Sequence, residues 1–140
     1  MELTKQVPNL QLCKKLKELG WDKETLFYYV LNLAIKGKDP KHESIVFYKN
    51  TRSYQLFKKV ESGGCVLYIP APTVAELGEV MPCKVKISGM DMYLETVKHE
   101  DYFECYYKFL NVACSVFFQE ATEADARAKM WIYLKENKLI

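Results

Sequence analysis

The apolar positions near the start of the chain repeat at helical spacing. They are Leu12, Leu16 and Leu19, at i, i+4 and i+7, with lysines between them. Asn9 precedes this run and Gly20 follows it, which predicts a short amphipathic helix with Asn9 as its N-cap. Gly20 suits the left-handed position after a helix end, and in this kind of stop Trp21 folds back onto Leu16.

The last twenty residues, "ATEADARAKMWIYLKENKLI", show the same periodicity with larger side chains. The apolar stripe consists of Ala124, Ala128, Trp131 and Leu134, with Met130 beside it. Thr122, with Asp125 three residues later, is typical of a capped helix start, although Asp reaches back less well than Glu or Gln. The pattern predicts a closing helix that packs this stripe on a sheet.

Between these helices, short segments rich in aromatic and β-branched residues alternate with polar spacers that contain Gly or Pro. The segments predicted to be strands are 25–32, 44–50, 65–70, 83–87, 92–97, 102–109 and 113–119. The last four are separated by spacers of hairpin length, which predicts an antiparallel meander. Residues 52–64 follow neither the helical nor the strand periodicity, so their structure is left open.

The alternation within segment 102–109 indicates which face of the meander is buried. One face carries Phe103, Cys105, Tyr107 and Phe109, and the other carries Tyr102, Glu104, Tyr106 and Lys108. Since successive side chains of a strand point to opposite faces, we expect the first set to lie in the core and the second to face outward.

The stretch "YIPAPTVAELGEVMP", residues 68–82, combines two prolines, a Thr and a Glu at fixed spacing. Pro70 is expected to end a strand, and Thr73 with Glu76 forms a complete capping box for the helix that follows. Leu77 is expected to be on its buried stripe, and Pro82 marks its end. The stretch therefore predicts a strand-to-helix junction and not a binding loop.

Together these elements predict a single α+β domain spanning residues 1–140. It contains a twisted antiparallel sheet of about six or seven strands, ending in the C-terminal meander, with three short helices packed mainly on one face.

Composition and charge argue against a disordered chain and against a membrane-spanning protein. The chain has 140 residues, 49% hydrophobic and 27% charged, which is typical of a packed globular domain. The net charge is +2, divided as +5 over residues 1–70 and −3 over residues 71–140. Five cysteines without a C-x-x-C pair, and an N-terminus with charges throughout, predict reduced thiols in a cytoplasm. No apolar run approaches the roughly 20 residues of a membrane span.

The ends and the middle of the chain carry a family pattern. It consists of "LKELGW" followed by "TLFYY", then "YIPAPTVAELGEVMP", then "TEADARAKMWIYLKENKLI". The chain resembles a family of small uncharacterised bacteriophage- and prophage-encoded proteins with a leucine-rich opening helix, an "APT" turn before a helix, and an "EADA-x-A-KM" closing helix. The resemblance implies a product of a phage or prophage gene in the bacterial host cytoplasm. It implies no catalytic or ligand-binding residue.

Metal binding and nucleophilic catalysis have little support in the residue pattern. A metal site assembled from His99, Cys83 and Cys105 would cross the meander, but Cys105 falls on the face expected to be buried, where it would pack as a small apolar side chain. Catalysis by Cys or Ser needs an adjacent base, and His42 and His99 both lie in polar spacers. We therefore expect no enzymatic activity, no metal and no cofactor.

Two binding hypotheses remain. Ten tyrosines and seven phenylalanines exceed what one small core needs, and surplus Tyr is typical of interfaces. The first hypothesis is that the open face of the meander binds a protein, including a second copy of the chain, or a small ligand. Its residues are Tyr93, Tyr102, Glu104, Tyr106 and Lys108.

The alternative hypothesis is single-stranded nucleic-acid binding through the basic, aromatic segment 36–59. In such sites cations contact phosphates and aromatic rings stack on bases. The residues singled out for this role are Lys49, Arg52, Tyr54, Lys58 and Lys59. The near-neutral net charge argues against it, because nucleic-acid-binding domains are usually clearly basic.

Overall fold

A computed structural model of the chain describes residues 2–32, 43–47, 66–110 and 116–140. Within these ranges the helices are α1 (Leu10–Glu18), α2 (Val74–Val80) and α3 (Glu123–Glu136). The strands are β1 (Phe27–Asn32), β2 (Glu43–Phe47), β3 (Val66–Ala71), β4 (Lys84–Ile87), β5 (Met90–Lys98), β6 (Phe103–Lys108) and β7 (Val116–Glu120). The predicted α+β class is confirmed. The ambiguous segment 52–64 lies outside the described residues.

The strands are divided between two antiparallel sheets, where the sequence predicted one. The first has the order β2-β1-β3, and the second is the predicted meander, β4-β5-β6-β7. The division falls at α2, which separates β3 from β4. Strand β3 includes Pro70 and ends one residue later at Ala71. Proline is tolerated there because β3 is an edge strand among the described strands, so its missing N–H need not remove a ladder bond.

The first hairpin of the meander turns through two residues with positive φ. Ser88 has φ of 51° and Gly89 has φ of 80°, between the paired residues Ile87 and Met90. Two positive φ angles define a type I′ turn, whose twist matches that of the flanking strands. The turn therefore sets the register of β4 on β5.

Helix α1 begins and ends as the sequence predicts. The Asn9 Oδ1 atom accepts a hydrogen bond from the Leu12 N–H at 3.1 Å. Gly20 has φ of 88°, and the Trp21 N–H donates to the Leu16 carbonyl at 3.0 Å. These are the bonds of a Schellman stop, in which glycine relieves the steric cost of the left-handed conformation.

The buried face of α1 is rotated from the predicted leucine stripe. Leu10, Cys13 and Leu16 are buried, whereas Leu12 and Leu19 are half-buried. The reason is that α1 packs on β3 at one side and on α3 at the other. A helix between two layers buries a wider arc than one stripe.

The capping box of α2 is confirmed. The Thr73 N–H donates to Glu76 Oε2 at 2.7 Å, and the Glu76 N–H donates to Thr73 Oγ1 at 3.2 Å. The other carboxylate oxygen of Glu76 accepts from the Leu26 N–H at 2.9 Å. Glu76 therefore caps α2 and also fixes the chain that enters β1.

Helix α3 starts at the predicted Thr122 cap, but its Asp125 has another partner. The Asp125 N–H donates to Thr122 Oγ1 at 3.1 Å. The Asp125 carboxylate accepts from the Asn9 N–H at 2.7 Å and from the Asn9 side chain at 3.2 Å. Near the other end of α3, Lys15 pairs with Glu136 at 3.0 Å. Helices α1 and α3 are thus joined at both ends.

The main core lies between the three helices and the inner face of the meander. The predicted stripe of α3 is confirmed: Ala124, Ala128, Met130, Trp131 and Leu134 are all buried. From the sheet, Val85, Met92, Cys105 and Tyr107 complete this core. A smaller cluster, made of Val7, Leu10, Cys13, Tyr29, Ile69 and Ala71, lies between the N-terminal segment and the first sheet. Among the described residues, no helix combines the length and the apolar character needed to cross a bilayer.

Candidate functional site

The meander has one face packed under α3 and one face directed to solvent. Residues directly opposite each other on paired strands lie on the same face of a sheet. The residues of each face are therefore identified by the pairing of strands β4 to β7. The side chains on the solvent side, called the open face below, are Lys84, Lys86, Asp91, Tyr93, Glu95, Val97, Glu104, Tyr106, Lys108, Phe117 and Gln119.

Three aromatic side chains lie on neighbouring strands of the open face, one each on β5, β6 and β7. Tyr93 is 47% exposed and Phe117 is 55% exposed. Tyr106, half-buried, is opposite Phe117 on β7 and opposite Glu95 on β5. We call Tyr93, Tyr106 and Phe117 the aromatic belt. Exposed aromatic side chains of this size are typical of interfaces.

Polar contacts hold the centre of the belt. The Tyr106 hydroxyl donates to Glu95 Oε2 at 2.5 Å, and Lys108 Nζ lies 2.5 Å from the same oxygen. These bonds, first from Lys108 and then from Tyr106, lower the pKa of the Glu95 carboxyl. Glu95 therefore stays ionised at neutral pH and orients both partners.

A second set of contacts lies at the β5–β6 turn. Glu104 accepts a hydrogen bond from the Gln119 side chain, and its other oxygen is 3.1 Å from His99 Nε2. The hydrogen bond from Gln119, followed by the contact with His99, lowers the pKa of Glu104. The His99 ring stacks on Tyr102, with centroids 4.3 Å apart and an angle of 18°. Tyr102 thus lies beside the face, in the turn before β6.

Lysines predominate at one end of the open face and carboxylates at the other, and the two groups meet where Lys108 pairs with Glu95. Near the β4–β5 turn are Lys84, Lys86 and Lys108, with Asp91 ion-paired to Lys84 at 2.8 Å. Towards the β5–β6 turn the face carries Glu95 and Glu104, and the turn itself adds Glu100 and Asp101, both exposed. One end, the lysine pole, is net positive, and the other, the carboxylate pole, is net negative.

The structure brings together four of the five residues that the sequence assigned to this face. Tyr93, Glu104, Tyr106 and Lys108 share it, and Tyr102 lies at its edge, linked to Glu104 through His99. Whether these residues bind a partner stays a prediction.

Sequence reasoning missed the most exposed aromatic residue of the face. Phe117 and Phe118 are adjacent on β7, and neighbouring strand residues point to opposite sides, so one of the two had to face outward. The pattern contained this signal. The lysine pole was also missed, because it depends on the pairing of β4 with β5.

The residues proposed for nucleic-acid binding are not among those that the structure describes. Lys49, Arg52, Tyr54, Lys58 and Lys59 all lie outside the described residues. The nucleic-acid hypothesis therefore rests on the sequence alone and stays a prediction.

The two described cysteines of the meander differ in exposure. Cys105 is buried under α3 whereas Cys83 is exposed. Burial raises the pKa of the Cys105 thiol to about 11, the opposite of what a nucleophile or a metal thiolate needs. Burial likewise raises the pKa of Cys13 above its usual range. In the described ranges, no three His, Cys, Asp or Glu side chains are grouped to hold a metal ion.

A groove of about 720 Å³ lies away from the open face. It lies where the N-termini of α2 and α3 approach the start of β1, with Phe27 and Phe103 in its lining. Arg127 in its wall is ion-paired to Glu123 at 2.8 Å. Since this cation is already neutralised, the groove shows no clear preference for a ligand.

Comparison with known proteins does not assign the chain to a family. No protein-family model, no curated protein and no solved structure matches it.

Proposed function

We propose that this protein is a non-enzymatic phage or prophage accessory protein that acts in the bacterial cytoplasm by binding another protein chain through the open face. The observation that carries the proposal is the exposure of Tyr93 and Phe117 on an ordered strand surface. Host modulation or counter-defence is the role that the family resemblance suggests.

Order in the face favours binding. Tyr106, Lys108 and Glu95 are fixed by mutual hydrogen bonds, so little side-chain freedom would be lost when a partner covers them. A sheet surface also suits a protein better than a small molecule, because small-molecule sites are concave.

Site-specific photo-crosslinking tests this proposal. A benzophenone-bearing phenylalanine analogue replaces Phe117 in one variant and Leu26 in a matched control. Leu26 is 40% exposed and lies outside the open face. After irradiation of bacterial cells that express each variant, we expect a discrete protein adduct from position 117 and none of the same mass from position 26. Equal adducts from both positions, or none from position 117, would refute the proposal.

The nucleic-acid alternative gives a different result. Binding through the segment that contains Lys49, Arg52 and Lys58 predicts retention on heparin that falls steeply with salt, since contacts to phosphates release counterions. A protein that binds through the open face is expected to flow through a heparin column at physiological salt. Its binding to the partner should also be unchanged by nuclease treatment. Strong, salt-sensitive retention would favour the alternative.

A further inference from the structure

We infer that the outer edge of strand β7, the side directed away from β6, binds an extended segment of another protein. The segment adds to the meander as a fifth strand and continues the open face. This inference rests on the proposed function, because it names how the partner chain binds at that face. It is carried by the backbone groups at this edge and by the side chains beside them.

The hydrogen-bonding pattern of the meander determines which backbone groups of β7 point away from β6. The His99 N–H donates to the Tyr102 carbonyl at 2.8 Å, so these residues form a hydrogen-bonded pair at the β5–β6 turn. Such pairs alternate along an antiparallel ladder, because successive residues of a strand direct their backbone groups to opposite sides. By the printed registers, the pairs that bond β6 to β7 are Phe103 with Glu120, Cys105 with Phe118, and Tyr107 with Val116.

The two remaining residues of β7, Phe117 and Gln119, direct their N–H and C=O groups to the outer edge. Their side chains lie on the open face, where both are exposed. Among the described strands, β7 is the last of the meander. The edge therefore presents two donors and two acceptors at strand spacing beside an exposed aromatic ring. An extended polypeptide pairs with this arrangement of groups.

The outer edge of β7 lacks the features that protect sheet edges from pairing. Those features include proline, lysine and short strand length. At the opposite edge of the meander, β4 has four residues and carries Lys84 and Lys86. In the first sheet, edge strand β3 contains Pro70. Strand β7, "VFFQE", contains neither proline nor lysine and begins with three residues of high strand propensity. Of these three edges, β7 is the one suited to strand addition.

The side chains of β7 fit a segment of another protein better than a second copy of the chain. Antiparallel pairing of β7 with itself over its whole length is centred on Phe118. It sets Phe117 of each copy opposite Gln119 of the other, and Val116 opposite Glu120. Both pairs combine an apolar with a polar side chain, whereas matched pairs stabilise a sheet. The segment that fits has an apolar or aromatic residue opposite Phe117 and a polar residue opposite Gln119.

Amide hydrogen exchange of the full chain, followed for each residue by NMR, tests the edge. In the free protein we expect slow exchange at Phe118 and Glu120, whose N–H groups donate to β6, and fast exchange at Phe117 and Gln119. The probe is a seven-residue peptide of alternating valine and threonine with a lysine at each end. At peptide concentrations that bind half of the protein, exchange at Phe117 and Gln119 is expected to slow about twofold.

Two variants of Gln119 separate the backbone from the side chain. Gln119→Pro removes one outward N–H and keeps the bonds from β6 to β7, since proline is tolerated on the open side of an edge strand. Gln119→Ala is the matched control, because it also loses the hydrogen bond to Glu104 but keeps the N–H. Gln119→Pro is expected to raise the dissociation constant of the peptide at least about fivefold relative to Gln119→Ala. If Gln119→Pro fails to fold, as judged by circular dichroism, exchange in the wild-type protein decides.

The same variants, combined with the benzophenone analogue at position 117, separate this inference from the proposed function in cells. An adduct that Gln119→Ala keeps and Gln119→Pro loses supports both. An adduct that survives Gln119→Pro overturns strand addition and leaves the proposed function standing. Absence of an adduct in every variant refutes both.

The exchange experiment can overturn the inference by itself. Slow exchange at Phe117 and Gln119 in the free protein would mean that the edge is already covered, and slowing that grows with protein concentration would identify a second copy there. A peptide that leaves exchange at both amides unchanged at millimolar concentration also overturns the inference.

Discussion

Truncation of Trp131 tests how α3 is held on the rest of the molecule. Trp131 is 4% exposed, and its ring meets that of Trp21 edge-on, with centroids 5.4 Å apart and an angle of 62°. A Trp side chain buries about 150–250 Å², worth about 4–6 kcal/mol at about 25 cal/mol per Å². The unfolded chain already hides part of this surface. Trp131→Ala is therefore expected to lower the free energy of unfolding by about 3–5 kcal/mol.

Urea unfolding followed by circular dichroism measures the change. Trp131→Phe serves as the control, because it keeps an aromatic ring and is expected to lose clearly less than the alanine variant. The chain has two tryptophans, so in both variants the remaining fluorescence comes from Trp21 and reports its environment directly. A loss below about 1 kcal/mol for Trp131→Ala would mean that α3 does not pack through this residue.

Three further predictions concern local features. Lys138 follows α3 with φ of 55°, so Lys138→Gly is expected to raise the free energy of unfolding by about 1 kcal/mol, measured in urea. Glu76→Ala removes bonds to two backbone N–H groups and is expected to cost about 1–2 kcal/mol, whereas Glu79→Ala, on the exposed side of α2, should change the urea midpoint little. The pKa of the Glu95 carboxyl is lowered in the folded state, so the stability that Glu95 contributes is present above its unfolded pKa of about 4.3 and is lost as pH falls through the lowered value. Glu95→Gln is therefore expected to flatten the pH dependence of the melting temperature between about pH 5 and 3. An unchanged pH profile would contradict this assignment.

Features set by neighbouring residues could be predicted from the sequence. The capping box of Thr73 and Glu76 spans three residues, and the stop at Gly20 depends on one backbone angle. Each is decided by local sterics and hydrogen bonding, so the residue pattern alone was sufficient. The C-terminal meander was predictable for the same reason, because hairpin spacers join strands that are adjacent in the sequence.

Features set by distant partners could not be predicted in this way. The division into two sheets depends on how α2 turns the chain between β3 and β4, and the rotated face of α1 depends on packing by both β3 and α3. In the candidate site, alternation along β6 placed Tyr106 and Lys108 outward, but their common partner Glu95 became evident only from the register of β5 on β6. The alternation of polar and apolar residues along a strand shows which face each side chain lies on. It does not show which residues of the neighbouring strands lie beside it.

The bond between Asn9 and Asp125 joins the N-terminus of α1 to the N-terminus of α3. It joins residues 116 positions apart, so the Asn9 N–H at the start of α1 gains this partner only when α3 has docked. Closing such a long loop is slow, which places the docking of α1 on α3 late in folding. We expect amide exchange to show α1 and α3 opening together with the same free energy, and any tag or truncation that displaces α3 to release α1 as well.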